Sequence, residues 1–489
     1  MYTILKTDQY KFAMAEAGWP LREETFYYSH RKNGPHLMPV DVKEYIKNLF
    51  TDWRQDPLKI AEAIRRVSGL QVGDWMRKIA ALHGPYSLLT IKSVPKGSWF
   101  PDKAPAFTVT GPSFLVSWLE PQVLQLNYRI QIATLAARFP EKLQEEIRKV
   151  TCEDQKNIIL ETLNSLKEFG FDKDFSGLEI NVCPDEYVDF VHDKVNNLLE
   201  VLEGDYTRMF EVGFRAASCL RHHELSVLAL GLSDARWPRK SPATSNTHAA
   251  DLLGIKAVGT MGHEHVQRFG SDTSAYNAMA ERLGGNIFCL LDTFDTINSG
   301  LPAAFKLIGK DTSRQHAIRF DSGDILEQFR TAHKMAIEQN IEPIYCFEDG
   351  WNLERTKEFE KVRKEFNLPA KQVVYGYGGY LVNSPFTTLT RDRVAAVWKL
   401  CQTGDVPVMK FTTSKESIPG KPVLWFDANT KTCYVYQDDE LASESSDSHV
   451  MLNAFNGYVI NYDRFPLTTL VMSKESQNLI KSLNRDNNK

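Results

Sequence analysis

The chain has 489 residues, 43% of them hydrophobic and 25% charged, with a net charge of −4. That length exceeds one ordinary core and calls for two or three domains, and the composition is that of a globular protein. The charge balance excludes a polybasic surface for duplex nucleic acid or membrane, and leaves room for a small anion held by a few local cations. Seven cysteines stand at 152, 183, 219, 289, 346, 401 and 433, none in a CxxC pair. Three of them (183, 289 and 346) lie in apolar runs, where a thiol acts as a small hydrophobe. The pattern predicts a reducing compartment without a disulfide framework. No secretory leader and no apolar run of 18 residues occurs, so a cytoplasmic enzyme is expected.

Near the start, Thr7-Asp8 can cap a helix that carries Tyr10, Phe12 and Met14. FYYSHRKNG (26–34) reads as an edge strand with a basic turn. Residues 41–53 and 57–68 read as amphipathic helices, 86–120 as strands with turns, and 121–170 as helices again. LEINVCPDEY (178–187) reads as the first strand of a repeating region, followed by a helix over 187–203. The run 206–224 carries Arg208, Glu211, Arg215, Arg221, His222 and His223. Adjacent histidines diverge by about 100 degrees on a helix, and HExxH is absent, so a metal reading is weak there.

Units of strand followed by polar turn then recur about every thirty residues, the length of one βαβ unit. IKAVGT, NIFCLLD, HAIRFD, IYCFED and VVYGYGG end near Thr260, Asp292, Asp321, Asp349 and Gly378. The repeat is one of architecture, and it predicts parallel strands whose polar ends converge on one face, where ligands bind. The richest end is Asp321-Ser322-Gly323-Asp324. Ile325, Phe329, Ala332 and Ala336 form a helical stripe after it, so the turn also serves as an N-cap. Before the repeat, Thr244, Ser245 and Asn246 open a helix, an ordinary cap or an anion contact. A lone histidine is usually structural. His263, on a loop after a strand beside two glycines and Glu264, is a better nucleophile or acid–base candidate. Gly376, Gly378 and Gly379 let backbone N–H groups approach a phosphate, although neither GxGxxG nor a P-loop is matched. After Pro385, residues 394–400, 406–411, 421–426 and 432–437 read as short strands, SKESIPGK (414–421) as a basic turn, and ELASESSDS (440–448) as a surface loop.

In order and spacing, TDQYK (7–11), EVGFR (211–215), ATSN (243–246), GTMGH (259–263), LDTFD (291–295), RFDSGD (319–324), EDG (348–350), YGYGG (375–379) and SKESIPGK resemble the nicotinate phosphoribosyltransferases, a family that also holds the nicotinamide enzymes. The resemblance spans most of the chain. It implies an α/β barrel-like (incomplete β/α barrel) domain over 141–390. It also implies an α+β sandwich domain built from the N-terminal segment (1–140) and a C-terminal segment (391–489) that packs back on it. A homodimer with shared sites is expected. The implied reaction joins nicotinate to phosphoribosyl pyrophosphate, releasing pyrophosphate, with ATP and Mg2+ as cofactors, in NAD salvage.

By resemblance, His263 is the histidine that ATP phosphorylates. Asp292 and Asp321 are catalytic contacts to ribose, pyrophosphate or magnesium, and Asp321 is the metal residue. Arg319 contacts the phosphoribosyl group, and Asp349, Gly350, Gly378 and Gly379 form the 5′-phosphate site. Arg215 faces the pyridine and its carboxylate. Tyr10 covers the ring from the partner subunit. Thr244 and Ser245 bind the 3-substituent, where the nicotinamide enzymes have an aspartate in place of Ser245. Val212 stands where an aromatic is expected, with Phe214 as a substitute, and Ala216 stands where many relatives have a second arginine. A nicotinamide enzyme and a catalytically silent nucleotide sensor are the alternatives. An unrelated barrel aldolase or hydrolase is disfavoured, because no Schiff-base lysine or nucleophile motif ends these strands.

Overall fold

The structure is a computed structural model that describes residues 2–171, 174–232, 236–237, 241–411, 417–427, 432–440, 449–451 and 470–486. Its centre is a six-stranded sheet in which every neighbouring pair is parallel. The strands lie side by side in the order Phe288–Leu290, Ala317–Phe320, Ile344–Phe347, Val373–Tyr377, Met209–Glu211, Ala243–Thr244. Helices connect them, including Ile325–Glu338 and Leu353–Glu365. The helical stripe expected after Asp321 is buried at Ile325, Phe329, Ala332 and Ala336. Asp324 caps that helix, accepting from the Glu327 N–H at 3.1 Å.

A second sheet is antiparallel. Its order is Val406–Pro407, Val397–Thr403, Glu23–Ser29, Phe107–Pro112, Thr90–Ser93. Residues near 400 therefore hydrogen-bond to residues near 25: Tyr27 faces Lys399 and Tyr28 faces Trp398. The short strands expected after Pro385 are present at Val397–Thr403, Val406–Pro407, Pro422–Asp427 and Thr432–Gln437. Of the two polar loops near the end, 414–416 and 441–448 lie outside the described residues.

Four expectations are corrected. Glu23–Ser29 is flanked on both sides, so it is a central strand; its buried pattern from Glu24 onward suits that place. The 178–187 run contributes only Asn181–Val182, which pairs with Lys149–Val150 outside the parallel sheet. The IKAVGT run forms a single bridge, Ala257 to Thr244, and the strand at that position is Ala243–Thr244. Asp8 precedes the Gln9–Ala17 helix, but its side chain makes no capping hydrogen bond and turns to Ser245.

Candidate active site

All six parallel strands run the same way, so their carboxyl ends open onto one face. Leu290 leads to Asp292, Phe320 to Asp321, Phe347 to Glu348 and Asp349, Tyr377 to Gly378, Glu211 to Arg215, and Thr244 to Ser245. A cavity of about 710 Å³ lies there. Its walls include Tyr10, Arg215, Ser245, His263, Arg319 and Asp321. Asp349, Gly350, Gly378 and Gly379 also line it. Asp292 and Thr244 stand just behind the wall, through the contacts described below.

His263 begins the His263–Phe269 helix. Its Nε2 lies 3.0 Å from Asp292 Oδ1, 3.9 Å from Asp321 Oδ2 and 2.7 Å from Lys410 Nζ. Lys410 also donates to Asp292 Oδ2 at 2.7 Å, and the Ser322 hydroxyl donates to the same oxygen. Burial and the Lys410 charge hold His263 down at about 4, against the pull of Asp292. The ring is therefore neutral at pH 7 and its nitrogen lone pair is chemically usable. Burial pushes Asp292 up, but His263 and Lys410 outweigh it and hold the carboxyl well below its usual range.

Arg319 ties two strand ends to the loop at Thr260-Met261. It donates to Asp321 Oδ1 at 2.5 Å, Thr260 Oγ1 at 2.6 Å and the Met261 carbonyl at 2.8 Å, and it lies 3.2 Å from Glu348 Oε2. Burial raises Asp321, yet Arg319 overcomes it and leaves the carboxyl at about 2. Asp321 is thus an anion with one oxygen committed to Arg319. Gly376 has no room for a side chain, since a Cβ there would meet Glu348 Cγ at 2.6 Å. At the neighbouring turn Asp349 and Gly350 both take left-handed backbone, φ 68° and 66°, a pair that favours glycine at the second position. Beside a Cβ on Gly378 the nearest atom is the Val212 carbonyl at 3.8 Å, so backbone there is open to the cavity.

At the other end, Arg215 Nη1 donates to Glu120 Oε1 at 3.2 Å, and Nε lies 3.8 Å from Asp8 Oδ2. Both Arg215 Nε and Asp8 Oδ2 are buried without a hydrogen-bond partner among the described residues. Tyr10 donates to Glu120 Oε2 at 3.0 Å, and the Arg215 guanidinium stands 5.9 Å from its ring centre. A Cβ on Gly262 would meet Tyr10 Cε2 at 3.3 Å, and one on Gly259 would meet Tyr10 Cα at 2.9 Å, so these glycines let the first helix press into the wall. Tyr10 therefore lines the cavity of its own chain, which corrects the expectation that it enters from a partner.

Two further readings change. The Ser245 hydroxyl donates to Asp8 Oδ1 at 2.6 Å, and the Thr244 hydroxyl to Glu211 Oε2 at 2.6 Å. Each hydroxyl thus already has a carboxylate partner that a ligand acceptor would have to displace. Thr244 belongs to a buried chain that continues from Glu211 to His223 and Asn246. Phe214 packs on His223 with ring centres 4.9 Å apart and does not reach the cavity. The aromatic residues that line it are Tyr10, Phe26, Trp351, Tyr380 and Trp398. His222 and His223 turn to different partners, the Val382 carbonyl and Glu211.

Residues 208–418 match the model of the "Nicotinate phosphoribosyltransferase (NAPRTase) family". That match covers a little under half of the chain. The nicotinate phosphoribosyltransferase of Bacillus subtilis is 36% identical over 117 residues, 24% of this chain and 24% of its own length. That of Rattus norvegicus is 26% identical over 357 residues, 68% of this chain and 59% of its own. The chain thus aligns with about a quarter of the first relative and somewhat over half of the second. The crystal structure of nicotinate phosphoribosyltransferase from Vibrio cholerae shares the fold, with a TM-score of 0.57, 16% identity, and coverage of 99% of this chain and 96% of that one.

The matched stretch holds every site residue named above except those that come from outside 208–418, among them Tyr10, Asp8 and Glu120. Lys410, Glu348, Thr260, Glu120, Asp8 and Lys399 were missed from sequence. Glu348 and Thr260 carried a signal in their places at the ends of apolar runs, and Asp8 in its place before a helix; Lys410, Glu120 and Lys399 carried none. Lys399 lines the cavity from the antiparallel sheet, and burial together with Lys410 and Arg31 lowers it to about 7. His263, Asp292 and Asp321 each offer a ligand atom, all within 4.8 Å of one another. Lys410 stands against the first two, so the donor that fits a hard divalent ion best is Asp321, through the oxygen that Arg319 leaves.

Proposed function

We propose that the protein is a nicotinate phosphoribosyltransferase: it forms nicotinate mononucleotide and pyrophosphate from nicotinate and phosphoribosyl pyrophosphate. The observation that carries this reading is one cavity with an arginine and aromatic rings at one end and an anionic pair, Asp292 and Asp321, beside a neutral histidine at the other. The pyridine nitrogen attacks C1 of the ribosyl group as the bond from C1 to pyrophosphate breaks. Charge that develops at C1 resembles an oxocarbenium ion and is met by Asp321. Arg215 orients the pyridine carboxylate, whose oxygen would satisfy its buried Nε–H. Tyr10 covers the ring, and the turns at Asp349-Gly350 and Gly378-Gly379 receive the 5′-phosphate. Bound at Asp321, Mg2+ would neutralise charge on the departing pyrophosphate. ATP serves as co-substrate, passing its terminal phosphoryl group to His263, which makes the enzyme a ligase of NAD salvage. The location that goes with this reading is the cytoplasm, and among the described residues no helix is long and apolar enough to cross a membrane.

We read the parallel sheet as an incomplete β/α barrel over 141–390. The antiparallel sheet then belongs to a sandwich domain made from 1–140 and 391–489. The assembly we propose is a homodimer. Because Tyr10 serves its own chain, mixing Tyr10→Ala with His263→Ala chains is expected to restore no activity beyond the sum of the parents. Recovery through hybrid dimers would place Tyr10 across the interface after all.

The nicotinamide reading has one observation in its favour: Asp8 Oδ2 is a buried acceptor that an amide N–H would satisfy. Measuring kcat/KM for both pyridines, read as pyrophosphate release, decides between them. Nicotinate is expected to win, and Arg215→Gln to lower its kcat/KM about 10- to 150-fold, the range of one charge-assisted hydrogen bond. A preference for nicotinamide would sink the assignment, and release of no pyrophosphate with either would favour the silent sensor.

Lys399 adds a pH dependence. With its pKa lowered to about 7 by burial, it is a cation below that pH and neutral above. An anionic substrate is held more weakly without that charge. KM for phosphoribosyl pyrophosphate is therefore expected to rise between pH 7 and 9, and Lys399→Arg, which stays charged, to flatten the rise. The same rise in both proteins would remove Lys399 from anion binding.

A further inference from the structure

Away from the cavity, two cysteines distant in sequence meet. Cys152 immediately precedes the Glu153–Lys167 helix and Cys219 the Leu220–Leu230 helix. Their Sγ atoms lie 3.7 Å apart, at van der Waals contact. Both side chains are buried. The Thr151 hydroxyl is 3.7 Å from Cys152 Sγ, and the Ser218 hydroxyl is 4.0 Å from Cys219 Sγ. The two thiols differ electrostatically. Donation by the Cys219 S–H, with help from the Gln155 N–H at the helix start, outweighs burial and holds Cys152 at about 7. Cys219 is pushed up by that same pairing and by burial. One sulfur is therefore a ready nucleophile and the other its proton donor. Cys289, Cys346, Cys401 and Cys433 are buried and pushed up by burial, and among the described residues none of them hydrogen-bonds to a second thiol.

We propose that Cys152 and Cys219 form a site of reversible oxidation, at which a hydroperoxide converts the dithiol to an intramolecular disulfide. The Cys152 thiolate attacks the peroxide oxygen; the O–O bond breaks, one water leaves, and Cys152 becomes a sulfenic acid. Cys219 then attacks the Cys152 sulfur, the S–S bond forms, and the hydroxyl departs as a second water. Two thiols lose two electrons and two protons, and hydrogen peroxide takes them up. A thiol reductant returns the pair to its resting state by exchange.

The site has a route to the cavity. A disulfide requires about 2.05 Å between the sulfurs, so Cys219 and Cys152 must close in from 3.7 Å. Cys219 lies four residues after Arg215. The segment between is braced: the Ser218 N–H donates to His222 Nδ1 at 3.1 Å, and Gln125 Nε2 donates to the Phe214 carbonyl at 3.3 Å. Drawing in Cys219 therefore displaces the turn that carries Arg215. The functional meaning of that shift rests on Arg215 being the pyridine contact.

The test uses the full chain and needs no activity. Protein treated with hydrogen peroxide, then alkylated, is mapped by non-reducing peptide mass spectrometry, and amide hydrogen exchange is followed over residues 213–219. The expected result is a Cys152–Cys219 linked peptide that dithiothreitol removes and Cys152→Ser abolishes. Exchange over 213–219 should change several-fold in the linked protein only. Cysteines oxidised separately to sulfinic acid, without the link, would overturn the proposal, as would a link that leaves exchange over 213–219 unchanged. A linked protein that releases no pyrophosphate when reduced would count against the proposed function alone.

Discussion

Replacing His263 with alanine is expected to abolish stimulation by ATP and leave a slow, ATP-independent formation of nicotinate mononucleotide. The ring is neutral at pH 7, because burial and Lys410 hold its pKa at about 4, so its lone pair is available without deprotonation. Phosphoryl capture from ATP needs that lone pair, whereas joining pyridine to ribose does not. Lys410 shares Nε2 and must yield it, after which the same ammonium lies close to the incoming phosphoryl oxygens. Label from the terminal phosphate of ATP should enter the wild type and be absent from His263→Ala. A variant stimulated by ATP as strongly as wild type would remove His263 from the coupling. Lowering the pH through 4 protonates the ring, so stimulation should also fail there while remaining level from pH 6 to 8.

Asp321→Asn is expected to lower kcat by about 10²- to 10³-fold, the scale seen when one electrostatic contact to a transition state is lost. The carboxyl is ionised at neutral pH, since Arg319 overcomes its burial and leaves it at about 2. Asparagine keeps the shape and removes the charge. With the pyridine proposed at the Arg215 end, KM for nicotinate should change little. Normal turnover with a weakened pyridine KM would contradict the assignment and move Asp321 to the base-binding side. Because Asp321 also anchors Arg319, Arg319→Lys makes a useful companion: it should raise KM for phosphoribosyl pyrophosphate more than it lowers kcat.

How much of this was legible in the sequence follows from what kind of signal each part leaves. The ends at Asp292, Asp321, Asp349 and Gly378 were legible because each follows an apolar run of strand length and precedes a helix. The helical stripe after Asp321 could be placed to the residue. Met209–Glu211 and Ala243–Thr244 were not, since three- and two-residue strands leave no periodicity. The 255–260 run misled for the opposite reason: it is apolar because it packs, although it forms only one bridge. Glu23–Ser29 was taken for an edge because its basic tail is polar, while its partner Val397–Thr403 is hundreds of residues away. Lys410 and Glu120 carry no local mark at all. Their contacts to His263 and Arg215 span 147 and 95 residues, and such pairings exist only once the chain is folded. Ser245 shows a further limit. Its hydroxyl suits an incoming carboxylate, but the sequence could not reveal that Asp8 already receives its proton.

The pairing of Glu23–Ser29 with Val397–Thr403 bears on how the chain is born. Phe107–Pro112 can cover one side of Glu23–Ser29 early in synthesis. The other side waits for a strand that leaves the ribosome nearly three hundred residues later. At 5–20 residues per second that wait is roughly 15–60 s. Throughout it, a buried-type strand with Phe26, Tyr27 and Tyr28 presents unpaired amides and carbonyls. Lys410 arrives on the same late segment, so a nascent chain has no complete His263 cluster to act with. The growing end of the chain, rather than any ligand, thus decides when the cluster around His263 is first complete.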